Sequence, residues 1–479
     1  IKLYGDKIVS STYTIKAFSR RYDGLPDKVV DYLCVASQYT NGMMPANVPY
    51  GIDERAVASL RGGAYTAIGD TDLPPVSLGN FGGYITYYYE NAIFDNPNNP
   101  YGIDFIVYGN SVNGKDGFAE PGNLLVSEDG ETWYNLAGSL HYDSVASWNY
   151  TVDYQDSNGK AMAVFYDGTP TTLVGWYPKR EMYKLCDWDK ITYIKNKVIE
   201  YIKLSGVKID ASLEKNEYGN TLPVYPAFGY ADCGLLSDSN EASNPYTGLL
   251  EEGRYSGRTD GFDLAWAVDE NGNPVELPNG IHFIKVQTAS FINNASIGEK
   301  STEVNMVRIA KPSDTAVGKT PDAKRITIDG TDISLESGKY EYEADVNGIF
   351  DVQVDAAKNS NIYINSIRGN SANFKEAAHN MVRIIIQNGN QEPVIYYITI
   401  NNTTQSEESN IIKISLDAKG GQIGDMRQAA LYFDKDTSNK ILPIPTRDGY
   451  TFEGWYTSDT SQMRIEKYND SITEDLILT

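Results

Sequence analysis

The sequence predicts a mainly β protein of several domains, on the basis of three observations. Short runs rich in β-branched and aromatic residues recur along the chain and are separated by turns rich in Gly, Asn and Asp. Tyrosine occurs 36 times against 14 for phenylalanine, and aromatic side chains favour strands. At 479 residues the chain exceeds one typical hydrophobic core, which favours two to four domains.

Two polar stretches divide the chain into three parts. Residues 311–323 and 403–410 are rich in turn-forming and polar residues and poor in apolar ones, as is typical of linkers. We therefore predict a large β-rich, ligand-facing domain over residues 1–310, a β-sandwich over 324–402 and a small repeat module over 411–479.

The large domain is expected to be a β-sandwich or jelly roll with a few short helices. Helices are predicted at "PDKVVDYLCVAS" and "DERAVASL", the second beginning with an acidic residue that suits a helix N-terminus. The run "YGIDFIVYGN" is apolar on both faces, which predicts a strand buried between layers. Frequent turn signals between such short strands favour the sandwich.

The stretch "FDLAWAVDENGNP" has two interpretations, a calcium loop or a hairpin. A calcium loop that begins at Asp269 needs Gly in its sixth place and Glu in its twelfth, where this chain has Pro274 and Gly280. The hairpin fits better because Asn271-Gly272 is a strong turn signal after an alternating strand. The residues that would share the apolar face of this strand are Phe262, Leu264, Trp266 and Val268. Asp263 would lie on the opposite face.

The middle segment contains six or seven short apolar strands in about 79 residues, the spacing of an immunoglobulin-like sandwich. Among them are "RITIDG", "MVRIIIQNG" and "VIYYITINN". With its closing "QNGNQEPVIYYITI", the segment resembles the cadherin-like β-sandwich domains of bacterial surface proteins.

The last segment contains "ISLDAKGGQI" followed by "LPIPTRDGYTFEGWYTSDT". Together they resemble the Listeria–Bacteroides repeat, a small β-grasp-like module of bacterial surface proteins. The matching residues are Gly420, Gly421, Leu442, Pro443, Pro445, Arg447, Gly449, Tyr450, Phe452, Gly454, Trp455 and Tyr456. The aromatic residues of this set are predicted to supply a small core. The resemblance implies an extracellular stalk or adhesion module.

Segments spread over residues 75–307 resemble a family of β-rich cell-surface, adhesion-like proteins of gut bacteria. They include "VSLGNFGGYITYYYENAI", "AEPGNLLVSEDGETWYNLAGS", "FGYADC" and "IGEKSTEV". The resemblance implies a place at the cell surface more than a chemistry. Some relatives accompany nutrient-capture systems, including cobalamin uptake, which adds a small nutrient to the expected ligands.

The net charge of −23 excludes whole classes of partner. Such a surface repels nucleic acid and anionic membranes, and no apolar run is long enough to span a bilayer. The chain begins with Ile1, from which we expect a processed or trimmed start. A bridge between Cys186 and Cys233 is open, but three sparse cysteines are more typical of buried free thiols.

The parts for most enzyme classes are missing from the sequence. His141, His282 and His379 lie in no metal-binding motif, and neither a GxSxG elbow nor a phosphate-binding loop occurs. Glycoside hydrolysis needs only two carboxylates, and 64 acidic residues leave that alternative open. We expect a protein without catalytic activity and without a cofactor, and structural calcium stays open.

Two sets of residues are candidates for binding. The first is acidic and would either converge on calcium or simply accept structural hydrogen bonds, which we favour; it comprises Asp104, Glu120, Asp263, Glu299 and Glu303. The second is aromatic and would stack on sugars where exposed; its members are Tyr87, Trp176 and Trp188. On their strand Tyr87 and Tyr89 share one face, and Tyr84 and Tyr88 the other.

These observations predict a non-catalytic extracellular protein of the cell surface. Its function would be adhesion or the capture of a ligand: a glycan, a host or cell-surface ligand, or a small nutrient such as cobalamin. Two alternatives stay open, a carbohydrate-active hydrolase with paired carboxylates and a purely structural stalk.

Overall fold

The computed structural model describes most of the chain. The described residues are 24–35, 76–109, 111, 119–157, 160–165, 168, 170–172, 183–187, 192–193, 201–209, 213–215, 221–223, 226–233, 246, 259–291, 293–294, 298–299, 301–304, 306–402, 411–419, 421, 423, 428–434, 440–447, 449–458, 463–465, 467–468 and 475–479. Strands dominate them, and they contain no helix of seven or more residues. The prediction of a mainly β, multidomain protein is confirmed.

The N-terminal part contains the first 21 strands of the described residues. They are β1 (Lys28–Val35), β2 (Val76–Ser77), β3 (Tyr84–Ile93), β4 (Phe105–Tyr108), β5 (Gly122–Ser127), β6 (Tyr134–Leu136), β7 (Ala146–Ser157), β8 (Lys160–Phe165), β9 (Pro170–Thr172), β10 (Tyr183–Asp187), β11 (Thr192–Tyr193), β12 (Tyr201–Ile209), β13 (Leu213–Lys215), β14 (Thr221–Pro223), β15 (Thr259–Phe262), β16 (Ala267–Val268), β17 (Ile281–Thr288), β18 (Asn293–Asn294), β19 (Gly298–Glu299), β20 (Glu303–Val304) and β21 (Met306–Ile309). Single-turn 3₁₀ helices occur at Pro100–Gly102 and Leu264–Trp266.

Two sheets enclose the main hydrophobic core of this part. One has eight strands in the order β11-β10-β1-β3-β17-β5-β6-β16, and the other has three in the order β15-β4-β21. Alternate side chains of both point into the shared core, for example Tyr87 and Ile284 from the first sheet and Phe105 and Val307 from the second. A third sheet, β12-β7-β8-β9, covers one end of the eight-stranded sheet through Leu204 and its neighbours.

The predicted helix at "PDKVVDYLCVAS" is wrong, because these residues contain strand β1. It pairs with both β3 and β10, and Tyr32 lies opposite Ile85 in the register. The two neighbouring strands supply backbone hydrogen bonds that local sequence does not reveal, and the β-branched Val29 and Val30 suit a pleated surface. The second predicted helix, "DERAVASL", lies outside the described residues.

The stretch "FDLAWAVDENGNP" is a hairpin at its tip but not one continuous strand. Strand β15 ends at Phe262, a 3₁₀ turn follows, and β16 then pairs with β6. At the tip, the Asp269 carboxylate accepts hydrogen bonds from the backbone N–H groups of Asn271 and Asn273. Asp269 is therefore engaged in its own turn.

Residues 324–402 form a two-sheet sandwich. Its strands are β22 (Arg325–Ile328), β23 (Thr331–Asp332), β24 (Glu341–Val346), β25 (Phe350–Asp355), β26 (Ser360–Ile364), β27 (Ile367–Arg368), β28 (Ser371–Phe374), β29 (Met381–Asn388) and β30 (Val394–Asn402), with a 3₁₀ turn at Ala378–Asn380. The sheets have the orders β23-β22-β25-β28 and β24-β30-β29-β26-β27. Apolar residues of both sheets form the core between them.

The sandwich packs directly against the N-terminal part. Two of its residues, Tyr363 and Ile385, belong to the core of the N-terminal part. Residues 318–320, inside the predicted linker, are hydrogen-bonded to the sandwich: Thr320 N–H donates to the Glu392 carbonyl, and Glu392 N–H donates to that of Gly318.

Arg383 is the central residue of this junction. It lies on β29 and is 1% exposed, and its guanidinium donates hydrogen bonds to the carbonyls of Ala137 and Gly138, the second at 2.8 Å. The same group lies 5.3 Å from the ring centroid of Tyr142 and 5.5 Å from that of Phe228. One sandwich side chain thus satisfies two buried backbone acceptors of the N-terminal part.

Beside Arg383 lies the buried ring of His141. Its Nδ1 accepts a hydrogen bond from Gly138 N–H at 3.0 Å and lies 2.7 Å from the Tyr230 hydroxyl, so Tyr230 is the donor and the ring proton is on Nε2. Burial lowers the pKa of His141 to about 3, with further lowering by Arg383 and His379.

The second contact of the junction joins the backbone at Tyr101 and Gly102 to Asn390 and Pro393 of the sandwich. Tyr101 N–H donates to the Asn390 carbonyl at 3.0 Å. The next residue, Gly102, has a φ of +74°, and its Cα faces the Asp263 carboxylate and the ring of Pro393. A glycine is required here because a side chain would meet both groups.

The remaining described strands build a third, smaller unit. They are β31 (Ile411–Asp417), β32 (Gln428–Asp434), β33 (Lys440–Ile441), β34 (Trp455–Tyr456), β35 (Arg464–Ile465), β36 (Lys467–Tyr468) and β37 (Leu476–Leu478). Its core contains Trp455, whose Nε1–H donates to the Pro443 carbonyl at 2.8 Å. Tyr450 and Phe452, predicted as core, are 66% and 36% exposed, so that part of the prediction is wrong.

Replacement of Arg383 by Met tests the junction. The change keeps an apolar stem but removes two charge-assisted hydrogen bonds to buried carbonyls, so we expect a loss of about 3 to 5 kcal/mol in the free energy of unfolding. The measurement is chemical denaturation of the full chain. The control is Arg325→Met, which removes an exposed ion pair with Asp332 from the same sandwich and should change the midpoint little. A loss below about 1 kcal/mol for Arg383→Met would contradict the role given to the arginine.

The buried histidine predicts a specific acid sensitivity. Because the folded state holds the pKa of His141 at about 3 against an ordinary 6.5, the unfolded chain binds the extra proton between these values. Folding stability contributed by the neutral ring is therefore complete above pH 6.5 and is lost as the pH falls towards 3. We expect a His141→Asn variant to show a flatter decline of unfolding free energy over this window than the wild type. Equal slopes, or an NMR titration of the His141 ring above pH 5, would contradict the assignment.

Gly102→Ala tests the close approach of the two parts. A Cβ there would lie 2.5 Å from Asp263 Oδ2 and 2.8 Å from Pro393 Cδ. The matched control is Gly330→Ala, where φ is +77° and nothing lies within 4 Å. The control should lose only the conformational term, about 1 to 2 kcal/mol. Gly102→Ala should lose about 1 to 3 kcal/mol more of the free energy of unfolding, because the added methyl group overpacks the contact. Equal losses for the two variants in thermal unfolding would contradict the close approach at Gly102.

Candidate functional site

One face of the eight-stranded sheet carries half-exposed aromatic side chains. On β3 the side chains alternate: Tyr87 and Tyr89 are buried in the core, whereas Tyr84 and Tyr88 are half-buried on the opposite face. Tyr88 lies opposite Phe283 of β17 in the register. The predicted division of the four tyrosines between two faces is confirmed.

Neighbouring rings and a lysine extend this surface. The ring centroid of Phe283 lies 5.1 Å from that of Tyr88 and 6.3 Å from that of Trp133. Lys285 Nζ lies 3.7 Å from the ring centroid of Trp133 and 5.1 Å from that of Tyr84. We call these five residues, Tyr84, Tyr88, Trp133, Phe283 and Lys285, the aromatic face.

The aromatic face also contains ionisable groups that are partly buried. Tyr84 donates a hydrogen bond to Asp31 Oδ2 at 2.7 Å, and burial and Asp31 together raise the pKa of its hydroxyl. Burial lowers the pKa of Lys285 to about 8, and Asp31 opposes this. Lys28 Nζ also lies 4.6 Å from the ring centroid of Tyr88. Rings that offer apolar faces beside lysine cations and a carboxylate can bind a ligand that is itself partly apolar and partly hydroxylated.

The predicted aromatic residues fare differently. Tyr87, a predicted ligand contact, is fully buried in the core and lies on the face opposite Tyr84 and Tyr88. Trp176 and Trp188 lie outside the described residues. Sequence reasoning missed Trp133 and Phe283. Phe283 lies in the alternating strand β17, and Trp133 directly precedes β6.

The predicted acidic set is divided between the two ends of the three-stranded sheet. Strands β4 and β15 are antiparallel and pair Phe105 with Phe262, which brings the residues just outside them, Asp104 and Asp263, to one end. Glu303 precedes β21 at the other end. The four residues of β4, at about 3.3 Å each, separate Asp104 from that end. The full predicted calcium set therefore does not converge.

At the first end, Asp104 and Asp263 meet a third carboxylate, Asp95. One oxygen from each of the three lies within 4.8 Å of the others. Asp104 and Asp263 are each 1% exposed, and Asp95 is exposed. We call Asp95, Asp104 and Asp263 the acidic triad, and it is the one group with metal-binding spacing among the described residues.

The proximity of the three carboxylates perturbs their ionisation. Burial, and then the charge of Asp95, raise the pKa of Asp104 to about 8. Burial, Asp95 and Asp104 raise the pKa of Asp263 well above its usual range. Backbone N–H groups of Leu264 and Ala265 partly offset this by donating to Asp104 and Asp263.

At the other end, the carboxylates bind backbone. Glu120 accepts from Ser301 N–H at 3.3 Å, and Asp232 accepts from Ser111 N–H at 2.8 Å and Glu303 N–H at 3.0 Å. These bonds hold loops together, which is the structural role favoured for the acidic set. For Glu299 the structure describes the backbone alone, in β19.

The sequence pointed to some of these residues and missed others. It singled out Asp104 and Asp263 but not Asp95, which follows β3 in "IFDNPNNP". A carboxylate directly after a strand, beside several amide residues, is the signal that was available. Asp232 was present in "FGYADC" but was not recognised as a charged partner.

The histidines and cysteines offer no catalytic arrangement among the described residues. His282 Nδ1 lies 2.8 Å from the Tyr89 carbonyl, and His379 packs its ring against Trp148 at 4.4 Å. Cys233 is a buried free thiol, so the open possibility of a bridge from it to Cys186 is excluded. Burial and the nearby Asp260, Asp232 and Glu120 raise the pKa of this thiol, which makes it a poor nucleophile.

Comparison with known proteins identifies the third unit. Residues 413–479 match the family of the Listeria-Bacteroides repeat domain, as predicted for 411–479. No curated protein matches the chain. The described part of the chain contains no helix with the length and hydropathy needed to span a bilayer. Repeats of this family occur in surface proteins. Residues 413–479, with a hydrophobic core of their own, are a Listeria–Bacteroides repeat domain.

Proposed function

We propose that this chain is a non-catalytic, extracellular surface protein whose N-terminal part captures a ligand, and that the ligand is a glycan. The observation that carries the proposal is the aromatic face. Tyr88 and Phe283 on neighbouring strands and Trp133, directly before β6, place three half-buried rings side by side with a cation beside them. Sugars present C–H faces that pack on such rings and hydroxyl groups that bond to lysine and carboxylate side chains.

The other two units support a location and a geometry. The repeat domain belongs to a surface-associated family. The sandwich is held to the N-terminal part by Arg383 and by a shared core. The two would therefore move as one rigid body, which precedes the repeat domain in the chain. The resemblances to cadherin-like domains and to gut-bacterial surface proteins fit this arrangement and stay predictions.

A carbohydrate-active hydrolase is the second candidate, and the acidic triad is the observation in its favour. Asp104 and Asp263 are neighbouring carboxylates, and both have raised pKa values. In this they resemble the acid and base of a glycosidase. Both Asp104 and Asp263 are 1% exposed, however, so a glycosidic bond would not reach them in this arrangement. A binding role without catalysis is therefore the better supported function.

Binding of the full chain to a glycan array, followed by calorimetry with the best glycan, tests the proposal. We expect Trp133→Ala and Tyr88→Ala each to weaken binding about tenfold or more, because each removes a stacking ring. Tyr450→Ala is the matched control: this ring is 66% exposed, is stacked against Arg447 and lies in the repeat domain. The control should bind like the wild type.

Three outcomes would contradict the proposal. Unchanged affinity in the Trp133→Ala, Tyr88→Ala double variant would place binding elsewhere. Absence of binding to every glycan on the array would favour the purely structural stalk. Release of reducing sugar that Asp263→Asn abolishes would establish the hydrolase instead.

A further inference from the structure

The acidic triad has the dimensions of a calcium site. Calcium binds oxygen ligands at about 2.3 to 2.6 Å, so the oxygens around one ion lie up to about 5 Å apart. The three triad oxygens lie within 4.8 Å of one another. They therefore fit on one coordination sphere without any movement of the backbone. The donor set contains oxygen alone, which suits a hard cation.

The crowding of three carboxylates favours a bound cation, because an ion would stabilise the ionised forms that burial and mutual repulsion oppose. Two of its carboxylates are almost fully buried, and like charges at this distance oppose each other's ionisation. Among the described residues, no Lys or Arg forms an ion pair with any of the three. Lys319 is near enough to lower the pKa of Asp95, but its Nζ lies over the ring of Tyr340, 4.8 Å from the centroid.

An independent observation points to a ligand at this place. Asn99 is 3% exposed, and its side-chain Nδ2 donates to Asp104 Oδ1 at 2.8 Å. Its other amide atom, Oδ1, is buried without any hydrogen-bond partner. The residue sits at the N-cap of the 3₁₀ turn Pro100–Gly102, yet its side chain does not cap that turn. A buried amide oxygen with no partner is rare and needs an explanation.

A cation beside Asp104 would give this oxygen a partner once the amide group is turned over. The two ends of a carboxamide have nearly the same shape, so a half-turn about its last bond exchanges the nitrogen and the oxygen. After that turn Asn99 Oδ1 would lie about where Nδ2 is now, 2.8 Å from Asp104 Oδ1. Two oxygens at this separation repel each other unless a cation joins them, and about 3 Å is the usual distance between adjacent ligands of one calcium ion.

We propose that Asp95, Asp104 and Asp263 bind one Ca²⁺ ion, with the side-chain oxygen of Asn99 as a fourth protein ligand. Water completes the coordination through the exposed side of Asp95. The site is separate from the aromatic face and does not depend on glycan binding. It joins three segments: the loop after β3, the start of β4, and the turn between β15 and β16.

The position of the site gives the ion a structural role. Gly102, inside the loop that carries the triad, packs against Pro393 of the sandwich, and Tyr101 is hydrogen-bonded to Asn390. Glu392 contributes to the negative field, since its charge raises the pKa of Asp95 and of Asp263. A bound cation would therefore stabilise the loop that forms the contact between the N-terminal part and the sandwich.

The experiment is calcium binding to the full chain after it has been stripped with EGTA. Calorimetry with CaCl₂ should show one saturable site, and the midpoint of thermal unfolding should rise by several degrees in 1 mM free calcium. Asp104→Asn combined with Asp263→Asn should weaken binding at least a hundredfold and remove the calcium-dependent rise. Glu343 is an exposed carboxylate of the sandwich, and Glu343→Gln is the control. This variant should keep both the calcium affinity and the calcium-dependent rise of the midpoint.

A single change at Asn99 keeps the test independent of misfolding. Asn99→Asp adds a fourth carboxylate, so it should lower the unfolding midpoint in EGTA and enlarge the rise that calcium causes. If Asn99 is purely structural, Asn99→Asp should lower the unfolding midpoint in EGTA without enlarging the rise that calcium causes. Absence of saturable calcium uptake, or an undiminished calcium-dependent rise in the double variant, would overturn the proposal. Glu120→Gln should leave calcium binding unchanged, and loss of binding there would move the site to the other end of the sheet and overturn it as well.

Discussion

The arrangement of the N-terminal part and the sandwich depends on one buried cation, the guanidinium of Arg383. The rigid, planar group bonds to two successive carbonyls, those of Ala137 and Gly138, and the rings of Tyr142 and Phe228 surround it. A buried arginine is tolerated only where its donors and its charge are satisfied. Here the N-terminal part satisfies them, so the sandwich cannot leave this contact without breaking both charge-assisted hydrogen bonds.

This constraint positions the two surfaces that matter for function. Because the sandwich covers one side of the N-terminal core, the loop with Gly102 is pressed against Pro393, and the acidic triad lies at that contact. The aromatic face belongs to the opposite side of the eight-stranded sheet, which leaves its rings half-exposed. The proposed glycan site and the proposed calcium site therefore lie on different sides of the same β scaffold.

The three-stranded sheet explains why similar acidic residues have different roles. Antiparallel pairing of β4 and β15 gathers Asp104 and Asp263 at one end, where they face each other and Asp95. At the opposite end the carboxylates of Glu120 and Asp232 find backbone N–H donors. Residue type was the same in both places. Among the described residues, only at the first end do three carboxylates lie close enough together to share one ion.

The sequence by itself determined the β class, the alternation that separates Tyr87 from Tyr88, and the repeat domain, because each depends on a local period or on fixed residue types. Only the tertiary structure decided the rest. It made a strand of Lys28–Val35, since two neighbouring strands supply its hydrogen bonds. It also brought Asp95 to Asp263, more than 160 residues apart in the chain. Contacts between distant residues follow from strand register and from the packing of sheets, which no local pattern encodes.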